Sequence, residues 1–138
     1  MRSGRPTAIL AVKNGLGLGH VRRATLVAQS LQQRGHMDPV IISQAGSTAL
    51  YAGSSLRVLN LPRLSRVSHV LVEDACLAIL DEVAARVAPS VIVEDTYPDP
   101  RLREIDSLRG VPRMLVTRRL DASSLEQMVE DRSFAGLD

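Results

Sequence analysis

His20 is the side chain in this sequence best suited to move a proton near neutral pH, and it stands at the end of an unusual loop. The loop reads Lys13-Asn14-Gly15-Leu16-Gly17-Leu18-Gly19-His20. An apolar run from Ala8 to Val12 leads in, and an amphipathic helical pattern leads out. Gly15, Gly17 and Gly19 permit backbone angles closed to other residues and a close approach of a ligand to the main chain. The N–H groups and positive dipole end of the helix that follows favour a phosphate or a developing negative charge. Far along the chain, Val91-Ile92-Val93-Glu94-Asp95 ends a second apolar run in two carboxylates, followed by Thr96 and Tyr97. A base oriented by a carboxylate, beside donors that stabilise charge, suits group transfer to a hydroxyl.

These groups meet only if the elements carrying them share an edge. Apolar runs at Thr7–Lys13, Val40–Ser43, Leu56–Leu61, Val91–Glu94 and Met114–Thr117 read as five buried strands. Helical periodicity covers about His20–Arg34, with Ala24, Val27, Ala28 and Leu31 on one face, and Gly35 is placed to stop it. A second helix is expected over Val70–Val87, where Val72, Cys76, Ile79, Leu80, Val83 and Val87 form a core stripe. Shorter helices are expected at Ser47–Ala52 and Arg101–Leu108, and a last one at Asp121–Asp131. Strands alternating with helices imply an α/β fold: a Rossmann-like, doubly wound parallel sheet of about five strands in the order 3-2-1-4-5. Residues 1–6 read as a disordered lead-in and 7–138 as a single domain.

In such a sheet, ligands bind beyond the carboxyl ends of the strands, where the strand order reverses. The loops there carry Lys13 to His20, Ser43 to Gly46, Glu94 to Tyr97, and Thr117 to Arg119. The candidate catalytic pair is His20 and Asp95. The candidate substrate contacts are Asn14, Gly15, Gly17, Gly19, Arg23, Gln44, Thr96 and Arg118. His36 beside Gly35 reads as helix-end chemistry, and Cys76 on the core stripe as packing rather than a nucleophile.

Several chemistries are excluded. The dinucleotide fingerprint needs Gly-x-Gly-x-x-Gly and an acid about 20 residues later; this loop is one residue short, and the second strand ends in Ser43-Gln44. There is no Gly-Lys-Ser/Thr, no Gly-x-Ser-x-Gly, and no Cys/His spacing suited to a metal. The chain has 138 residues, 45% of them apolar, and a net charge of +2 with one lysine and three aromatic residues. That is too little cationic or stacking surface for a nucleic-acid partner. One cysteine and no apolar run long enough to cross a bilayer fit a cytoplasmic chain.

The motif Gly15-x-Gly17-x-Gly19-His20-Val21-x-Arg23, the later Gln33-Arg34-Gly35-His36, the segment Val91 to Pro98 and the pair Arg118-Arg119 carry a resemblance. Over about residues 7–120 the chain resembles the N-terminal, acceptor-side domain of GT-B glycosyltransferases. It is most similar to the group around the N-acetylglucosaminyltransferase of peptidoglycan synthesis and related predicted transferases. The resemblance implies a hydroxyl-bearing acceptor held here and a nucleoside diphosphate sugar held by a C-terminal domain or a partner chain. It implies Gly17, Gly19 and His20 near the reacting centre, His20 as base, Asp95 orienting it, and no cofactor or metal. The donor half has no counterpart in these residues, so the isolated chain is expected to be inactive. The alternatives are a subunit of a split two-chain transferase, or a non-catalytic ligand-binding or assembly module. Peripheral contact with a membrane is compatible with the resemblance.

Overall fold

The computed structural model describes residues 4–12, 18–44, 54–62, 69–96 and 98–117, with helical backbone also at 122–123 and 126–127. The elements are β1 (Thr7–Val12), α1 (Leu18–Gln33), β2 (Asp38–Ser43), β3 (Arg57–Asn60), α2 (His69–Val87), β4 (Val91–Asp95), α3 (Arg101–Glu104), a 3₁₀ turn (Asp106–Leu108) and β5 (Arg113–Val116). All strand pairings are parallel, in the order β3-β2-β1-β4-β5. This is the α/β, doubly wound order that the hydrophobic pattern predicts. The strand order reverses between β1 and β4, and α1 follows β1 at that point.

Both faces of the sheet are covered, which is why its central strands are apolar on both sides. On one face, Ala8, Leu10, Val12, Ile41 and Val93 pack against Val21, Ala24 and Ala28 of α1. On the other, Ile9, Ala11, Ile42 and Ile92 pack against Val72, Cys76, Leu80 and Ala84 of α2. The expected stripes are the buried ones; Ile79, Val83 and Val87 sit at the margin of the α2 core, as do Val27 and Leu31 on α1. Cys76 is fully buried in that core.

Two differences from the sequence reading matter for function. First, α1 begins at Leu18, two residues before the expected start at His20, so His20 lies within its first turn rather than at its first position. His20 and Arg23 are then three residues apart on one helix, which puts them on the same face. Second, the helix expected over Arg101–Leu108 is interrupted. Ile105 is extended (φ −87°, ψ 112°) and buried among the α2-side residues. Arg101, Leu102, Ile105 and Leu108 are all buried across this break. The short helix expected at Ser47–Ala52 lies outside the described residues, as does most of the helix expected at Asp121–Asp131.

Candidate functional site

Side chains alternate along a strand, and on β4 that alternation separates two neighbouring acids. Val93 faces the α1 core and Ile92 the α2 core. Asp95 therefore points to the α1 side and Glu94 to the α2 side. At the carboxyl end of β4, the nearly buried carboxylate of Asp95 bonds His20 Nδ1 through Oδ2. Arg23 Nε donates to Asp95 Oδ1 at 2.5 Å, and Arg23 Nη2 donates to Oδ2 at 3.2 Å. The same Nη2 donates to Thr96 Oγ1 at 2.9 Å and lies 3.3 Å from His20 Nδ1.

A carboxylate only accepts, so the contact assigns the His20 ring proton to Nδ1 and leaves the Nε2 lone pair free to take another. The imidazole is 23% exposed, open enough for a substrate to reach it. Hydrogen bonding to Asp95, helped by its charge, raises the pKa of the Arg23 guanidinium, so Arg23 is a permanent cation here. Its stem runs over an apolar pocket formed by Val12, Val27, Val93 and Val116. Thr96 is fully buried with φ +60°. A β-branched residue in that region is strained by about 1–3 kcal/mol. Its amide is held by the Val116 carbonyl at 2.8 Å and its hydroxyl by Arg23, which keep the turn in place.

On the other face, Gln44, Cys76, Asp99 and Arg101 form a second polar cluster. Arg101 forks onto Asp99 (Nε to Oδ1 2.9 Å, Nη2 to Oδ2 2.7 Å) and reaches Gln44 Oε1 from Nη2 at 3.0 Å. Gln44 Nε2 donates to the Pro62 carbonyl at 3.0 Å and lies 3.5 Å from Cys76 Sγ. Burial raises the pKa of the Cys76 thiol, consistent with an inert core residue. Asp99 N–H donates to Glu94 Oε1 at 2.6 Å, pinning the segment after Thr96 to β4. Among the described residues, Glu94 Oε2 has no hydrogen-bond partner; it makes an ion pair at 3.6 Å with Arg113 Nε, which also lacks a hydrogen bond. Burial pushes the Glu94 carboxyl pKa up and the Arg113 pKa down.

Of the residues singled out from sequence, the structure brings together His20, Arg23, Asp95 and Thr96. Arg23, expected to touch substrate, bonds Asp95 and Thr96. Gln44 lies at the same sheet edge, but both ends of its amide are occupied by protein groups. Gly19 needs no unusual backbone angle, since it is helical; a Cβ there would meet nothing within 4 Å. Asn14, Gly15, Gly17 and Arg118 lie outside the described residues. Asp99 and Arg101 were not anticipated. Their only sequence signal is an acid two residues before a cation in a proline-flanked loop. Among the described residues, no group of three His, Cys, Asp or Glu is placed to hold a metal, and no helix is long and apolar enough to cross a membrane.

No protein-family model matches the sequence, and no curated protein does. Solved structures do match in fold. MurG of Acinetobacter baumannii superposes with a TM-score of 0.62 at 14% identity, covering 88% of this chain and 38% of MurG. The fold is one that glycosyltransferases use. A UDP-N-acetylglucosamine 2-epimerase matches with a TM-score of 0.66 at 11% identity, over 97% of this chain and 40% of the epimerase. UGT2 of Phytolacca americana, solved with UDP-2-fluoro-glucose and pterostilbene, matches with a TM-score of 0.62 at 18% identity, over 95% of this chain and 36% of its own. The chain thus spans well under half the length of these proteins. A fold shared by transferases and an epimerase does not choose between their chemistries; the site must.

Proposed function

We propose that the chain is the acceptor-binding half of a glycosyltransferase, moving a sugar from a nucleoside diphosphate sugar to a hydroxyl acceptor. The Asp95–His20 hydrogen bond at the carboxyl edge of the sheet carries this reading. His20 Nε2 takes the acceptor's hydroxyl proton as the oxygen bonds the anomeric carbon and the nucleoside diphosphate departs with its bonding electron pair. Asp95 fixes the ring through Nδ1 and stabilises the imidazolium that forms. The donor is held by a C-terminal domain or a partner chain.

The test is transfer activity of this chain joined to, or mixed with, its donor-binding half, with and without His20→Ala. Loss of a positioned general base costs on the order of 10²–10⁴ in kcat. The variant should keep its fold, since Asp95 retains Arg23. Near-normal turnover in a folded His20→Ala enzyme would remove His20 from the mechanism. The likeness to the epimerase favours a second reading, a nucleotide-sugar enzyme of another reaction type. Conversion of the sugar nucleotide with no acceptor present would decide for it.

A further inference from the structure

A carboxylate bonded to a histidine does two things at once. It fixes the tautomer, and it favours the charged ring, because an opposite charge at hydrogen-bond distance stabilises the imidazolium. For a general base the second effect is harmful: a ring already carrying both protons at neutral pH cannot accept another. In this site a third group bears on that conflict. Arg23 bonds both oxygens of Asp95, and its Nη2 lies 3.3 Å from the same ring nitrogen that the carboxylate holds. Thr96 Oγ1 fixes that Nη2 from the far side.

We propose that Arg23 is a positioning residue that keeps His20 neutral: it offsets the charge of Asp95 so that the carboxylate orients the ring without fixing a second proton on it. The proposal rests on the reading of His20 as a base and adds how that base stays available. Among the described residues, the surroundings leave the balance to these groups. Among the described residues, Asp95 and Arg23 are the charged groups within ion-pair distance of His20. The strand residues of the cluster under α1 are Ala8, Leu10 and Val12 on β1, Ile41 on β2, Val58 on β3, Val91 and Val93 on β4 and Val116 on β5, none of them titratable. Arg22, the neighbouring cation on α1, is exposed. The three-residue spacing on α1 makes the arrangement: one helix face presents the imidazole and the guanidinium to one carboxylate.

The test needs no substrate and uses the chain itself. Ring ¹⁵N shifts of His20, told apart from those of His36 and His69 by the spectrum of His20→Ala, report the protons on each nitrogen. At pH 7 the parent chain should show Nδ1 protonated and Nε2 bare. Arg23→Gln removes the cation, and Arg23→Met removes it while keeping the apolar stem over Val27 and Val116; whichever folds serves. The ratio of imidazolium to neutral imidazole should rise by roughly tenfold or more. Asp95→Asn added to either variant should return the ring to the neutral form. In the complete enzyme, the acid limb of the pH–rate profile should move to higher pH, with activity recovered there. A ring that stays neutral in a folded Arg23 variant overturns the proposal. That outcome is separate from failure of the transferase reading, which is judged by turnover of His20→Ala and does not depend on the ring shifts.

Discussion

Glu94 and Asp95 are adjacent acids on one strand, and their surroundings are opposites. Asp95 has both oxygens bonded, by a histidine and an arginine that are partly exposed at the sheet edge. Glu94 is fully buried, bonds one backbone amide, and among the described residues has no hydrogen bond to its other oxygen, only an ion pair at 3.6 Å with an arginine that is also buried. The contrast teaches that polarity alone does not mark a site. The α1 side has complete bonds and an accessible ring, as a proton-transferring group requires. On the α2 side Glu94, Asp99 and Arg101 are buried, and their bonds join the end of β2, β4 and the turn before α3.

This division predicts that the two clusters fail differently. The largest effect on stability should come from Asp99→Ala. It strips the fork from a buried Arg101, leaving that cation with Gln44 Oε1 and a Glu73 carboxylate 3.7 Å away. Breaking a buried pair from one side costs about 3–5 kcal/mol, readable by urea unfolding. The His20 ring shifts of the folded fraction should stay as in the parent chain. His20→Ala should do the reverse, abolishing turnover with little change in unfolding. If the two variants gave similar losses in both measurements, the two faces would form a single unit and the comparison would collapse.

Gln44→Ala is a smaller test of the same boundary. It unpairs one donor of the buried Arg101, for about 1–3 kcal/mol; the exposed Pro62 carbonyl keeps Cys76 Sγ at 3.6 Å. A Gln44 that only braces should cost stability and leave the KM for acceptor unchanged. A raised KM at full stability would return it to the substrate contacts.

Much of this arrangement was legible in the sequence, for reasons that also explain what was not. The strand order followed from apolar runs and helix stripes, because each helix needs only its own periodicity to declare its buried face. The meeting of His20 and Asp95 followed from topology, since the two loops must share an edge once β1 and β4 are neighbours. The role of Arg23 was not legible. The expected helix already set His20 and Arg23 three residues apart, but the turn of Arg23 onto Asp95 and Thr96, 72 and 73 residues away, is a tertiary contact with no local signal. The Gln44–Arg101 bond joins residues 57 apart and has no local signature. The break at Ile105 has no signal in the hydrophobic pattern either, since buried positions 101, 102, 105 and 108 share one face of an unbroken helix as well.

The smallest predicted effect concerns Glu94 and separates burial from pairing. Burial raises its folded-state pKa above the ordinary 4.5, although the Asp99 amide and the Arg113 charge pull it down. Below the ordinary value both folded and unfolded chains hold the proton, and above the raised value neither does. Between them the folded chain keeps a proton that the unfolded chain has released, so stability falls as pH rises through that window. Glu94→Gln keeps an acceptor for the Asp99 amide and cannot titrate. The difference in unfolding free energy, parent minus variant, should therefore decline as pH is raised from about 4.5 and then level off. A difference that grows with pH instead would mean that Arg113 pairs with Glu94 strongly enough to overcome burial. The α2 side would then hold a working ion pair, and the contrast between the adjacent acids would rest on accessibility alone.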